Sequence, residues 1–204
     1  SNNIEIITID ENRYPASLLE ISNPPCVLFA HGNWEKAFSK PMITIVGTRE
    51  CTSYGERSAS RISAVVAYAG FTIVTGVAKG IDTATISGAL SVGGSVVAIL
   101  PTGHGSVTLG ESYKFKDIRK DGVILSEHLP TFKSHKYVYQ ERNRILAGIS
   151  ISSVVIQAPK VSGAIMTANY ALNQNKEIFS LPANIDMPQS EGCNILINDG
   201  AIPI

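Results

Sequence analysis

The chain has 204 residues, 44% of them hydrophobic and 17% charged, with 17 Lys and Arg balanced by 17 Asp and Glu. A chain of this size buries a full core as one or two domains of about 100–200 residues each. Its apolar content excludes disorder. Its lack of any apolar run of roughly 18–20 residues excludes a bilayer-spanning helix, and zero net charge excludes a uniformly basic coat for nucleic acid.

Residues 1–41 contain Tyr14-Pro15, Asn23-Pro24-Pro25, a lone Trp34 and one short apolar piece, Val27-Leu28-Phe29. They are expected to form an N-terminal extension packed on the remainder, residues 42–204, and not an independent domain. The opening Ser1-Asn2-Asn3 has no Met and no charged-then-apolar leader pattern, and looks like a tag remnant.

From residue 42 short β-branched runs alternate with longer helical patterns. Met42-Ile43-Thr44-Ile45-Val46 reads as a buried strand, followed by Gly47-Thr48-Arg49 and a helix from Ser53 to Ala69. Phe71 to Thr75 is a second strand, with Gly76-Val77-Ala78-Lys79-Gly80 leading to a helix from about Asp82 to Leu90. Ser95 to Leu100 and Gly122 to Ser126 are the third and fourth strands. Val154 to Gln157 is the fifth, followed by Ser162-Gly163 and a helix through Asn173, and Glu177 to Leu181 is the sixth. Continuous apolar strands separated by helices point to an α/β, Rossmann-like, doubly wound and mainly parallel sheet.

Such sheets bind ligands beyond the carboxyl ends of their strands. Glycine-rich loops fall there four times, at Gly47-Thr48-Arg49, Gly76 to Gly80, Pro101 to Gly105 and Ser162-Gly163. Glycine lets backbone approach a ligand, and a helix N-terminus offers N–H groups to an anion. Arg49 and Lys79 lie inside two of these loops, so the set favours an anion-binding face over plain tight turns. By segment the net charge is −2 over residues 1–41 (3 basic, 5 acidic), +4 over 42–150 (12 basic, 8 acidic) and −2 over 151–204 (2 basic, 4 acidic). A local anionic site is therefore compatible with overall neutrality.

No GxGxxG follows the first strand and no GxxxxGK[ST] occurs, which argues against a nicotinamide cofactor or a P-loop nucleotide. Cys26, Cys51 and Cys193 share no metal-ligand spacing, and their odd number suits a reducing, cytoplasmic compartment. The four histidines are scattered, so no metal, cofactor or catalytic residue is expected. Asp82 at a helix start is expected to cap that helix. Cys51, beside a helix N-terminus, is expected to have a lowered pKa. Glu127 either faces the ligand or makes a structural hydrogen bond. Arg142 and Arg144 point to different sides of a helix, so one can pair internally while the other reaches a ligand.

Taken together, these loops resemble the DprA/Smf family of bacterial DNA-processing proteins. The matching stretches are Tyr14 to Leu19 with Asn23 to Phe29, Ile45-Val46-Gly47-Thr48-Arg49 with Ser53-Tyr54-Gly55, and Gly76 to Asp82. Ala89-Leu90, Leu125-Ser126-Glu127, Arg142-Asn143-Arg144-Ile145, Ser162 to Ala168, Glu191 to Ile197 and Gly200-Ala201 complete the ordered set. The resemblance implies a non-enzymatic single-stranded DNA-binding protein that protects incoming strands and loads the RecA recombinase in natural transformation and recombination. It also implies a homodimer and a positively charged pocket. Within that pocket Arg49 and Lys79 match the DNA-binding cations. Gly47, Gly76, Gly80, Ser162, Gly163 and Thr167 match its lining loops, and Arg142 and Asn143 match the family's RNR motif. Thr85-Ile86, Val138-Tyr139-Gln140 and Pro182-Ala183 depart from the usual family residues.

Two other functions compete. One is a phosphoribohydrolase-like enzyme on a related fold, whose catalytic Glu would have to come from the region Ser162 to Ala171, which has no acidic residue. The other is an interaction module with a vestigial pocket that binds only a protein partner.

Overall fold

The computed structural model describes residues 3–106, 116–133, 135 and 137–204; Ser1 and Asn2 of the expected tag remnant lie outside them. The strands are β1 (Glu5–Thr8), β2 (Val27–Gly32), β3 (Met42–Val46), β4 (Thr72–Thr75), β5 (Val96–Ile99), β6 (Val123–Ser126), β7 (Ser152–Val155), β8 (Glu177–Ser180) and β9 (Ile202–Pro203). The helices are α1 (Ala16–Leu19), α2 (Trp34–Phe38), α3 (Ser53–Tyr68), α4 (Ile81–Ser91), α5 (helical over 116–121), α6 (Val138–Ile149), α7 (Gly163–Asn173) and α8 (Glu191–Asn198). Among the described residues no helix is long and apolar enough to cross a membrane.

Among the described residues all nine strands join one sheet in the order β1-β2-β6-β5-β4-β3-β7-β8-β9. The seven strands from β6 to β9 are parallel, and β1 and β2 are antiparallel additions, with Phe29 opposite Ser126 and Ala30 opposite Leu125. This is the mainly parallel, Rossmann-like α/β sheet expected from the alternating apolar runs. Each sheet face carries its own core. Ala59, Ala67, Ile81, Ile86 and Ala89 of α3 and α4 cover one face, and Ile145, Leu146, Ala164 and Ala168 of α6 and α7 cover the other. Burial on both faces is what makes the central strands continuously apolar.

Residues 3–41 share this architecture. Ser17 Oγ donates to Ile149 O at 3.1 Å, tying α1 to the end of α6, and Tyr14 Oη donates to Pro25 O at 2.7 Å inside the core. β7 begins two residues before its apolar run. Ser152 and Ser153 are buried within the sheet, and Gln157 falls just beyond the strand.

The sequential progression β3-β4-β5-β6 runs toward one edge, and β7-β8-β9 runs toward the other. β3 and β7 are therefore neighbours whose following segments leave in opposite directions. The crevice above their carboxyl ends is where open α/β sheets bind ligands.

Candidate functional site

A cavity of about 600 Å³ lies at this point of divergence. The loop after β3 supplies Gly47, Thr48 and Arg49, α6 supplies Arg142 and Asn143, and the start of α7 supplies Ser162, Gly163 and Thr167. Topology thus brings eight of the sequence-derived residues to one cavity. Gly76, Lys79 and Gly80 do not line it.

The β4–α4 loop lines it only through Ala78, with Asp82 of α4 beside it, and otherwise braces the β3 loop. Gly80 has φ +76°, and a β-carbon there would fall 2.5 Å from Thr48 O. This approach lets the Ile81 N–H donate to Thr48 O at 3.2 Å, so the two loops brace each other. Lys79 is exposed on the same loop.

Arg49 is exposed at the cavity mouth, with its guanidinium carbon 5.2 Å from the centre of the Tyr139 ring. Such a cation–π contact contributes about 0.5–1 kcal/mol at an exposed site and leaves the guanidinium edge free for an anion. Tyr139 opens α6 and lines the cavity, and sequence reasoning treated it only as a departure from the family pattern. Its signal was an aromatic residue one helical turn before an Arg-Asn-Arg run.

The Arg-Asn-Arg run divides its labour. Arg142 is 7% exposed and donates to Ile99 O and, at 3.3 Å, to Asn143 Oδ1. Asn143 Nδ2 donates to Gly163 O at 3.1 Å, holding the first turn of α7 against α6. Arg144 forks onto Glu127, with Nη1 2.9 Å from Oε1 and Nη2 2.6 Å from Oε2, and its Nε donates to Asn23 O at 2.8 Å. Arg144 is therefore the internally paired arginine, and Glu127 has the structural role. Arg142 lines the cavity, but its guanidinium is turned toward the end of β5.

Asp82 corrects the capping expectation. The residue preceding α4 is Gly80, which makes no side-chain cap, and Asp82 lies inside the first turn. Its Oδ2 accepts the Ala78 N–H at 3.1 Å and closes the 76–80 loop. Burial raises its pKa and the Arg142 charge opposes that shift, while burial lowers the pKa of Arg142. Gly76 lies between the two groups. A β-carbon there would be 2.5 Å from Asp82 Oδ2 and 3.0 Å from both terminal nitrogens of Arg142.

Cys51 also reverses its expectation. Its pKa is raised, first by burial and then by the Glu56 charge. It packs against the apolar core under α3 and α4.

On the α7 side, Ser162 caps the helix by accepting the Ile165 N–H at 3.3 Å, and Thr167 Oγ1 donates to Gly163 O at 3.0 Å. The cavity thus presents an exposed cation, an aromatic face and the positive end of an 11-residue helix, together with the exposed Glu50 and the buried Asp82 carboxyl groups. Among the described residues no group of three or more His, Cys, Asp or Glu could hold a metal ion.

The model for the DNA recombination-mediator protein A family matches residues 5–204. Protein Smf of Synechocystis is 39% identical over 203 residues, 98% of this chain and 51% of its own; the chain thus spans about half the length of that relative. The X-ray structure of DNA processing protein A from Streptococcus pneumoniae superposes with a TM-score of 0.91 at 32% identity, covering 99% of this chain and 71% of that one. DNA processing protein A from Helicobacter pylori, whose structure concerns its mode of single-stranded DNA binding, superposes with a TM-score of 0.88 at 25% identity. That match covers 100% of this chain and 92% of the other. The chain belongs to the DNA recombination-mediator protein A family.

Proposed function

We propose that this chain binds single-stranded DNA without chemical turnover, with the strand entering the cavity between the β3 loop, α6 and α7. The observation that carries the reading is Arg49 seated over Tyr139 opposite the first turn of α7. A phosphate meets the Arg49 guanidinium and the N–H groups of the Ser162–Gly163 turn, while a base stacks on Tyr139. Stacking accepts every base, so binding carries little sequence preference. Lys79, exposed on the adjoining loop, meets phosphates outside the cavity. Gly47, Thr48, Asn143 and Thr167 shape the wall, Gly76 and Gly80 make room for the packing behind it, and Arg142 anchors it from within.

The wider assignment follows the family and the Helicobacter pylori relative. The chain acts in the cytoplasm as a homodimer, protects strands taken up during natural transformation, and delivers them to RecA in recombination. No acidic residue lies between Ser162 and Ala171, the region that would have to supply a phosphoribohydrolase's catalytic Glu; the carboxylates that line the cavity are Glu50 and the buried Asp82, from other segments.

The test is a salt titration of oligo-dT binding for the wild type and the Arg49→Ala/Lys79→Ala double variant. The expected result is salt-sensitive binding that prefers single strands and is lost in the variant. Unchanged affinity in the variant removes the site assignment, and release of free base from nucleoside monophosphates at enzymatic rates replaces the function. RecA capture with no DNA binding would favour an interaction module instead.

A further inference from the structure

Gln157 lies just beyond β7 and is 0% exposed. A primary amide taken out of water needs partners for its oxygen and for both N–H groups. Here they come from the loop between β3 and α3 and from the segment before α8. Oε1 accepts the Thr52 N–H at 2.9 Å, and Nε2 lies 3.1 Å from Thr52 Oγ1 and 3.0 Å from Ser190 Oγ as donor. The main-chain oxygen of the same residue accepts the Thr48 N–H at 2.7 Å. One residue therefore fixes both ends of the segment 48–52, and Arg49 stands between the two anchors.

The surroundings are shaped to keep that amide in place. Gly55, in the first turn of α3, packs against Gln157 Oε1 so closely that a β-carbon there would overlap it. Thr52 also caps α3 by accepting the Gly55 N–H at 3.3 Å, so the clamp and the start of the helix share one hydroxyl. Gln157 itself does not line the cavity. Arg49 is exposed, and where its guanidinium stands relative to Tyr139 is set by the backbone that Gln157 holds.

We infer that Gln157 is a positioning residue for ligand binding, holding the Arg49 loop where its cation meets a phosphate of the bound strand. The inference rests on the reading of the cavity as a single-stranded DNA site. A cation on a pre-ordered loop meets its phosphate without the entropic cost of ordering that loop, so release of the clamp weakens binding through Arg49 alone.

A double-mutant cycle on oligo-dT binding separates positioning from general support of the fold. Gln157→Leu is expected to weaken binding about tenfold when Arg49 is present and less than about twofold in the Arg49→Ala background. If Gln157→Leu does not fold, Gln157→Asn, one methylene too short to reach Thr52, takes its place under the same criteria. Wild-type affinity in the folded variant, or an equal loss in both Arg49 backgrounds, overturns the inference. Amide hydrogen exchange of the unliganded protein is the second readout. In Gln157→Leu the Thr52 amide, whose acceptor is the Gln157 side chain, should lose protection at least about tenfold relative to β3 and β7, and unchanged protection at that amide also overturns it. Failure of the wild type to bind oligo-dT would count against the cavity reading, whereas the exchange measurement reports on the clamp by itself.

Discussion

The Arg49 guanidinium carbon sits 5.2 Å from the centre of the Tyr139 ring, joining the loop after β3 to the first turn of α6 across the cavity mouth. The two side chains offer a polyanion different things, and salt dependence separates them. Loss of a phosphate contact on a single strand lowers the slope of log affinity against log salt by roughly 0.7, whereas loss of a stacking surface lowers affinity at every salt concentration. Arg49→Ala is therefore expected to flatten the oligo-dT salt titration. Tyr139→Ala should weaken binding by about 1–3 kcal/mol with the slope retained, and Tyr139→Phe should preserve both. Equal slopes for wild type and Arg49→Ala would remove Arg49 from phosphate contact.

Arg144 should behave in the opposite way. Its fork onto Glu127 is largely out of solvent, with side-chain exposures of 11% and 15% for the two partners. Removing one member of such a pair leaves the other charge buried without a partner, at a cost of about 3–5 kcal/mol. Arg144→Ala is expected to lower the urea midpoint by a corresponding amount, while the folded fraction binds oligo-dT as the wild type does. A variant of normal stability and weakened binding would place Arg144 at the ligand after all.

What could be read from sequence follows the kind of force involved. The strands at Met42–Val46 and Thr72–Thr75 and the helices after them came from apolar runs and glycine punctuation, which are local signals. The cavity residues on the β3 loop and at the start of α7 followed from one topological rule, since parallel strands gather their carboxyl-end loops. β1 and β2 were missed as strands because β2 pairs with β6, far along the chain, and β1 with β2, and no pattern in Glu5–Thr8 announces either pairing. The polar pair Ser152-Ser153 hid the start of β7. Direction was also hidden. Nothing in Arg142-Asn143-Arg144 says that the first arginine turns inward to Ile99 O, or that the third meets Glu127. Cys51 shows the limit of a local electrostatic rule, because the burial that reversed its shift is set by tertiary packing.

Gly76 tests the packing behind the cavity. Its place between Asp82 and Arg142 leaves no room for a methyl group, since Asp82 Oδ2 would be 2.5 Å from it and both terminal nitrogens of Arg142 3.0 Å. The carboxylate also closes the 76–80 loop through Ala78, and Arg142 also donates to Ile99 O, so neither can withdraw without giving up a buried hydrogen bond. Gly76→Ala is expected to destabilise the fold by about 1–3 kcal/mol in urea denaturation, the range for an overfilled core. A variant as stable as wild type would mean that the two charged groups move apart freely.

His31 supplies a pH signature separate from the cavity. It lies on β2 with Nε2 2.9 Å from Arg119 Nη1, and its ring meets His104 edge-on at 6.0 Å. Arginine only donates, so His31 accepts and must be neutral in this arrangement. Burial first, and then the Arg119 and His104 charges, lower its pKa from 6.5 to about 4. The unfolded chain therefore takes up this proton at a higher pH than the folded protein does. The His31 contribution to stability is complete above about pH 6.5 and is lost as pH falls through about 4. Urea midpoints are expected to decline between pH 7 and pH 4.5. His31→Gln, which can accept from Arg119 but does not titrate, should decline less steeply over the same interval. Parallel curves for the two proteins would show that His31 titrates alike in the folded and unfolded states.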